Sequence, residues 1–193
     1  MTVKDKVKES ILAWGCAPCG LTWSFGLQMV IIGFFLAGFC SDHWLESSIV
    51  VSGYESRNQG LWRFCYKSLG ATCCGYINDL MYIEPFVNAT RAFLVMSLLP
   101  QGGCILAVLT GIFKKSYSFS KLLAGVLSGI SAFCIILAGI IYGGASQDED
   151  STSLYSLSWS YALCFVSGFL YIPFTCFICC TDDSPDESSS STT

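Results

Sequence analysis

Charge is scarce in this chain, and its distribution is more telling than its amount. Asp, Glu, Lys and Arg make up 12% of the 193 residues, against 53% hydrophobic residues, too little to coat a water-exposed globule. Four apolar stretches, Leu21–Cys40, Ala92–Phe113, Leu122–Tyr142 and Trp159–Cys180, contain no Asp, Glu, Lys, Arg or His. That argues against an intramembrane proton relay or a buried catalytic carboxylate. The single histidine, His43, leaves zinc without its usual ligand set. The chain also lacks a phosphate-binding glycine loop and a Cys/His couple with partner acids, so neither an enzyme nor a cofactor is expected. A basic surface is missing too. Net charge is −4, much of it in Asp148-Glu149-Asp150 and from Asp182 to Glu187, which argues against nucleic acid as a partner. Of the polar, broken helices that a transporter places around a midplane site, only Gln101 beside Gly102-Gly103 offers a trace.

What is present is length and apolarity. Each of the four stretches is about 20 residues, which at 1.5 Å per residue covers a hydrocarbon core of roughly 30 Å. A chain in lipid must satisfy its own backbone hydrogen bonds, so these stretches are expected to be transmembrane helices. Lys4, Lys6 and Lys8 precede the first, and Lys114, Lys115 and Lys121 fill the turn between the second and third. The positive-inside rule puts both segments in the cytoplasm, and four crossings bring the C-terminus back to that side. The expected order is a cytoplasmic segment 1–20, span 21–40, a long extracellular loop 41–91, span 92–113, a cytoplasmic turn 114–121, span 122–142, an extracellular loop 143–158, span 159–180 and an acidic, serine-rich disordered tail 181–193. The first span starts late and has no small-residue exit, so it is expected to be an uncleaved anchor. Val3, Val7, Ile11 and Trp14 recur at helical spacing, as a short helix on the inner leaflet would require.

Several short motifs accompany this layout. Cys16, Cys19, Cys179 and Cys180 flank the outermost spans and suit reversible palmitoylation. Asn88-Ala89-Thr90 is a glycosylation acceptor pattern, but it lies so close to the membrane that an unmodified Asn88 is favoured. Ser184 before Pro185 is a weak phosphorylation pattern. Gly125 and Gly129 permit close helix approach inside the bundle, and Pro100 and Pro173 are expected to bend their spans.

The long loop carries the specific information. It holds Trp44, Gly60-Leu61-Trp62, Cys65, the Cys73-Cys74 pair and Arg91. These are the cysteines placed to meet an oxidising compartment, and Cys65 can close a hairpin with Cys73 or with Cys74. Gly70 is a suitable turn residue between them. Ser48–Ser52 and Leu61–Tyr66 are rich in β-branched or aromatic residues and are expected to be strands. The expected fold is therefore an all-α membrane protein, a left-handed bundle of four transmembrane helices with a small extracellular antiparallel β-sheet made by the first loop.

Four spans with Trp44, Gly60-Leu61-Trp62-x-x-Cys65, a second cysteine and Arg91 before span two resemble the claudin superfamily, which includes peripheral myelin protein 22, epithelial membrane protein and lens MP20 relatives. The resemblance covers the whole bundle, with its diagnostic residues between Trp44 and Arg91. The family's cysteine spacing implies a Cys65–Cys74 disulfide, leaving Cys73 as an extra thiol packed against the bundle. It also implies that Trp44 and Trp62 wedge between sheet and helix tops, and that Arg91 caps that region by bonding backbone carbonyls or Trp62. Residues Asp79 to Ala92 resemble an extracellular helix that runs into span two.

In function, the resemblance implies a structural protein of cell–cell junctions at the plasma membrane, surrounded by membrane lipids. It would associate with similar four-span proteins side by side in one membrane and across facing cells. The other branch of the family implies an accessory subunit that organises a partner channel or receptor. Family members add a C-terminal strand to a PDZ scaffold through an apolar last residue, whereas this chain ends Ser190-Ser191-Thr192-Thr193, so that partner is not expected. The second loop is short and acidic, which weakens the expectation of adhesion in trans. In the first loop Asp42, Glu46, Glu55, Asp79 and Glu84 nearly balance Arg57, Arg63, Lys67 and Arg91, and Gly75 follows Cys74 where the family places a selecting charge. No strong ion selectivity is expected from that balance.

Overall fold

The structure, a computed structural model, describes residues 19–47, 56–68, 70–79, 83–114, 117–148 and 156–180. The expected N-terminal helix and the strand Ser48–Ser52 lie outside those residues, as do Cys16, Ser184 and the acidic tail. Its helices are α1 (Cys19–Cys40), α2 (Pro85–Lys114), α3 (Tyr117–Asp148) and α4 (Trp159–Cys180). All four are long and apolar enough to cross a membrane, and the protein is a multi-pass membrane protein. Both middle helices run on past their apolar stretches. Proline is well suited to the first helical position, where its missing N–H leaves nothing unpaired, and Pro85 opens α2 there. Lys121 lies inside α3 and is buried. Helices α2 and α4 continue through Pro100 and Pro173 without a break.

The helices pack in a ring, each against two neighbours: α1 on α2, α2 on α3, α3 on α4 and α4 on α1. The buried positions explain this. Along α1 they are Leu21, Ser24, Gln28, Ile31, Phe35 and Gly38; along α4 they are Ser160, Cys164, Ser167 with its neighbour Gly168, Tyr171, Phe174 and Ile178. Alternating steps of three and four residues form the seam of a left-handed helix pair. The outward positions are large and apolar. Leu99 is 81% exposed and Trp23 74%, values that only lipid tolerates over such an area.

At one end of the bundle sits a five-stranded antiparallel sheet in the order β4-β3-β2-β1-β5. The α1–α2 connection supplies β1 (Leu45–Ser47), β2 (Ser56–Gln59), β3 (Arg63–Ser68) and β4 (Ala71–Tyr76), followed by a 3-10 turn at Ile77–Asp79. The fifth strand, β5 (Ser156–Leu157), comes from the α3–α4 connection and pairs Leu157 with Leu45 and Ser156 with Glu46. The sheet is thus not the product of the first loop alone. The second loop covers an edge that β1 would otherwise expose.

The β3–β4 hairpin turns at Gly70, whose φ of 79° lies in the left-handed region that glycine enters freely. Its register places Cys65 opposite Cys74 and Tyr66 opposite Cys73. Successive side chains on a strand point to opposite faces, so only Cys74 shares the face of Cys65. The Ile77 N–H donates to Trp62 O, and counting in twos from that hydrogen-bonded pair makes 65/74 a non-hydrogen-bonded pair, the kind with the closer Cα atoms. The Cα separation is 4.1 Å and the disulfide Cys65–Cys74 is formed. Cys73 points the other way and is exposed, so it does not pack against the bundle as the extra thiol was expected to. In a Cys74→Ser variant, non-reduced peptide mapping should find Cys65 free rather than linked to Cys73, and unfolding should be about 2–3 kcal/mol easier.

Candidate functional site

The motif residues meet where α1 ends and the sheet begins. A helix leaves its last four carbonyls without intrahelical donors, and α1 ends at Cys40 in apolar surroundings. Two indoles meet that need. Trp44 Nε1 donates to Gly38 O at 2.7 Å, and Trp62 Nε1 donates to Phe39 O at 3.1 Å. The tryptophans are therefore side-chain caps of α1, one from the start of the sheet and one from the turn before β3.

Trp44 is almost wholly buried. Its ring edge meets Tyr142 of α3 at 4.8 Å and Tyr161 of α4 at 5.7 Å, while Phe86 of α2 meets Tyr142 at 5.5 Å. Its backbone is also engaged: the N–H donates to Gln59 O, and the carbonyl accepts from Ser158 N–H, each at 3.0 Å. One residue thus links β2, the second loop and three helices.

Gly60 is required by close approach. A Cβ there would sit 2.5 Å from Asp42 Cα and closer still to Ser41 O, so any side chain would force the α1–β1 turn away from β2. The next residue, Leu61, is fully buried in the core.

Arg91 joins this group from the first turns of α2. Its Nε donates to Leu61 O at 2.7 Å, and Nη1 donates to Asn78 Oδ1 at 3.0 Å and Asn88 Oδ1 at 3.2 Å. Its guanidinium carbon lies 5.1 Å from the centroid of the Trp62 ring, a cation–π distance. The side chain is 8% exposed, so Arg91 adds little to the charge that the loop presents. Trp62 is held on both faces of its task, with Phe39 edge-on at 5.3 Å as well.

His43, adjacent to Trp44, ties the sheet to α4. Its Nδ1 lies 2.7 Å from Asp42 Oδ1 and its Nε2 lies 3.0 Å from Asn58 Nδ2. Both ring nitrogens are thus engaged, one by the neighbouring carboxylate and one by the Asn58 amide of β2. The His43 carbonyl accepts from Ser160 Oγ, and Trp159 stands over the ring at 5.7 Å. Gly38, Tyr142, Tyr161 and Asn78 serve this junction without any motif that marks them in the sequence, and His43, weighed in the sequence only as a zinc ligand, serves it too. The free carbonyls at 38 and 39 were the available signal, since a helix end in lipid must find donors.

Among the described residues one grouping, Asp42 with Cys65 and Cys74, is compact enough to hold a metal, but both sulfurs are joined in the disulfide and offer no thiolate. Asn88 has its amide oxygen bound to Arg91, and Thr90 of the same acceptor pattern is fully buried within α2. Cys179 and Cys180 are exposed at the end of α4, and Cys19 opens α1.

Against known proteins, the family model described as the PMP-22/EMP/MP20/Claudin family matches residues 20–179. No curated protein matches the chain.

Two measurements test this geometry. Trp62→Phe keeps a ring but removes the donor to Phe39 O, and should cost about 1 kcal/mol. Arg91→Ala strips donors from Leu61, Asn78 and Asn88 together, and should cost about 3 kcal/mol. Thermal unfolding in detergent should rank wild type, Trp62→Phe and Arg91→Ala in descending stability. Glycosidase treatment should leave the mobility of the expressed protein unchanged, because Asn88 and Thr90 are both engaged.

Proposed function

The chain belongs to the PMP-22/EMP/MP20/Claudin family, and from that premise we propose that it is a structural protein of cell–cell contacts, associating side by side with copies of itself through the sheet on the extracellular side. The observation that carries this reading is the β4 edge. β4 is outermost in the sheet, and its Ala-Thr-Cys-Cys-Gly-Tyr sequence has neither charge nor proline. It is exposed along most of its length, and Tyr76 at its end is 64% exposed. The register gives residues 71, 73 and 75 the hydrogen bonds to β3, so those at 72, 74 and 76 present their N–H and C=O groups outward. Proteins that avoid edge pairing place lysines, prolines or bulges on such a strand. Here the charges fall on β2 and β3 instead, at Arg57, Arg63 and Lys67. A second copy of β4 meets no like-charge repulsion there.

In this reading the protein contributes to a paracellular barrier with weak charge preference. Arg91 is withdrawn beneath the sheet, so Arg57, Arg63 and Lys67 remain as the basic groups of the described loop.

Expression in cells that make no junctional strands of their own tests the proposal. Continuous intramembrane strands at cell contacts, with raised transepithelial resistance, are the expected outcome. A Thr72→Glu variant should reach the surface but form few strands. Its new carboxylate lies opposite Lys67, which preserves the hairpin while charging the edge. Diffuse staining with a channel or receptor co-purifying would replace this reading with the accessory role.

A further inference from the structure

The three cysteines of the first loop leave one over. Cys65 and Cys74 are joined, and Cys73 is a free, exposed thiol within β4. The disulfide beside it marks this loop as one that meets an oxidising compartment, where an odd thiol has a reason to pair between chains. A thiol alone names no partner, but the backbone around it does. Residues 71, 73 and 75 take their hydrogen bonds from β3, so the N–H and C=O groups of Thr72, Cys74 and Tyr76 point away from the sheet. Among the described residues no strand lies beyond β4. Such a row of groups is a template for another strand, and β4 carries no charge or proline to repel a copy of itself.

The register restricts how a second copy of β4 can lie. Running antiparallel, it must set even-numbered residues against even-numbered ones, because those carry the outward groups. Centred on Cys73, the pairing exchanges hydrogen bonds between Thr72 of each copy and Cys74 of the other. Cys73 then faces Cys73 of the second copy as a non-hydrogen-bonded pair, the close kind, with Cα atoms about 4.5 Å apart. That falls in the range of about 4.4–6.8 Å that a disulfide spans. The chain has already closed a disulfide at a pair of this kind, Cys65–Cys74, with Cα atoms 4.1 Å apart. Side-chain alternation puts Cys73 on the face opposite Cys74, so the two bonds do not compete. Beside Cys73 on its own face, the pairing sets Ala71 against Gly75 of the other copy, so neither strand places a bulky side chain next to the sulfurs. The register centred on Cys74 would instead set Cys73 against Gly75 and leave the thiol unpaired.

We propose that two copies pair through β4 in the register centred on Cys73 and are joined there by a Cys73–Cys73 disulfide. The inference rests on the side-by-side association proposed above and supplies its register and a covalent lock. The oxidant is a small-molecule or protein disulfide of the oxidising compartment. One Cys73 thiolate attacks it and releases a first thiol, forming a mixed disulfide. Cys73 of the second copy displaces the remaining sulfur as a second thiol. Two thiols of the protein thus give up two protons and two electrons, and one disulfide of the oxidant becomes two thiols.

The test uses the full chain at the surface of expressing cells, with free thiols blocked by N-ethylmaleimide at lysis and the protein run on a non-reducing gel. Wild type should run as a dimer that collapses to monomer on reduction. Cys40→Ser, which removes an exposed thiol at the end of α1, should keep the dimer. Cys73→Ser should reach the surface and lose it. Peptide mapping of the unreduced dimer should join the Cys73 peptides of two copies and leave Cys65–Cys74 intact. Surface protein that is wholly monomeric, with Cys73 recovered alkylated, would overturn the link. If junctional strands form all the same, self-association stands and the Cys73 lock alone falls; if they do not, both fall. A dimer that survives Cys73→Ser would also overturn the proposal.

Discussion

The carbonyls at the end of α1 are the constraint on which the rest of the sheet end depends. Gly38 O and Phe39 O finish a helix that leaves lipid without a glycine cap or a basic residue in its last turn. The indole of Trp44 meets the first and that of Trp62 the second, which fixes two distant points of the loop against one helix end. Once Trp62 is fixed, Leu61 falls into the core and its carbonyl becomes the acceptor for Arg91. Arg91 then ties α2 to the same place and covers the Trp62 ring. Each motif residue thus answers a need created by the one before it. The glycine answers the last, since β2 can reach the α1–β1 turn only where no Cβ intervenes.

The bundle beneath obeys a different economy from that of a water-soluble one. In lipid, burying a leucine inside gains little over leaving it outside, so close backbone approach and interhelical hydrogen bonds hold the helices together. The seam is accordingly rich in small and polar residues. At Gly38 an added Cβ would lie 2.5 Å from Ser160 O, and at Gly125 it would lie 2.9 Å from Cys179 Sγ. Gly129 has open space at its Cβ, so of the two spaced glycines in α3 only Gly125 serves a contact between helices. Ser128 and Thr175 share a hydrogen bond of 2.7 Å between α3 and α4. Large apolar side chains lie on both sides of the helices, with Phe35, Tyr171 and Phe174 inside the bundle and Trp23, Leu99 and Phe133 facing outward.

What could be read from the sequence follows the range of each signal. A run of uncharged apolar residues is a local property, and the four spans were visible from it. The first turns of α2, from Pro85, were anticipated only through the family resemblance of Asp79 to Ala92, and the extra turns of α3 were not visible, because the residues up to Asp148 carry no long apolar run. β5 is two residues long, too short for any alternation to show, and it becomes a strand only because β1 offers an unpaired edge. The preference for Cys74 over Cys73 came from a family resemblance; its physical cause is strand parity, which requires the register to be known. Cys73 is exposed because β4 is the edge strand and both of its faces are open. Gln101 stood out beside its glycines, whereas Gln28 was hidden in an apolar run, and only the bundle brings the two together.

The sheet order also explains where the disulfide is needed. β1 and β5 lie beside Trp44, whose ring is sunk among α3 and α4, so that side of the sheet is held by burial. Support falls off toward β4, which is exposed at almost every position. A hairpin with one such strand has little hydrophobic energy to hold it, and two-stranded elements are marginal on their own. Cys65 is buried at the inner edge of that hairpin and Cys74 lies on its free strand, so the bond transfers the order of the supported side to the unsupported one. Rigidity at β4 bears directly on the proposed association. An edge already fixed in strand geometry pays less ordering entropy on pairing than a mobile one. The covalent link therefore lies in the one hairpin that packing alone cannot hold and that self-association would use.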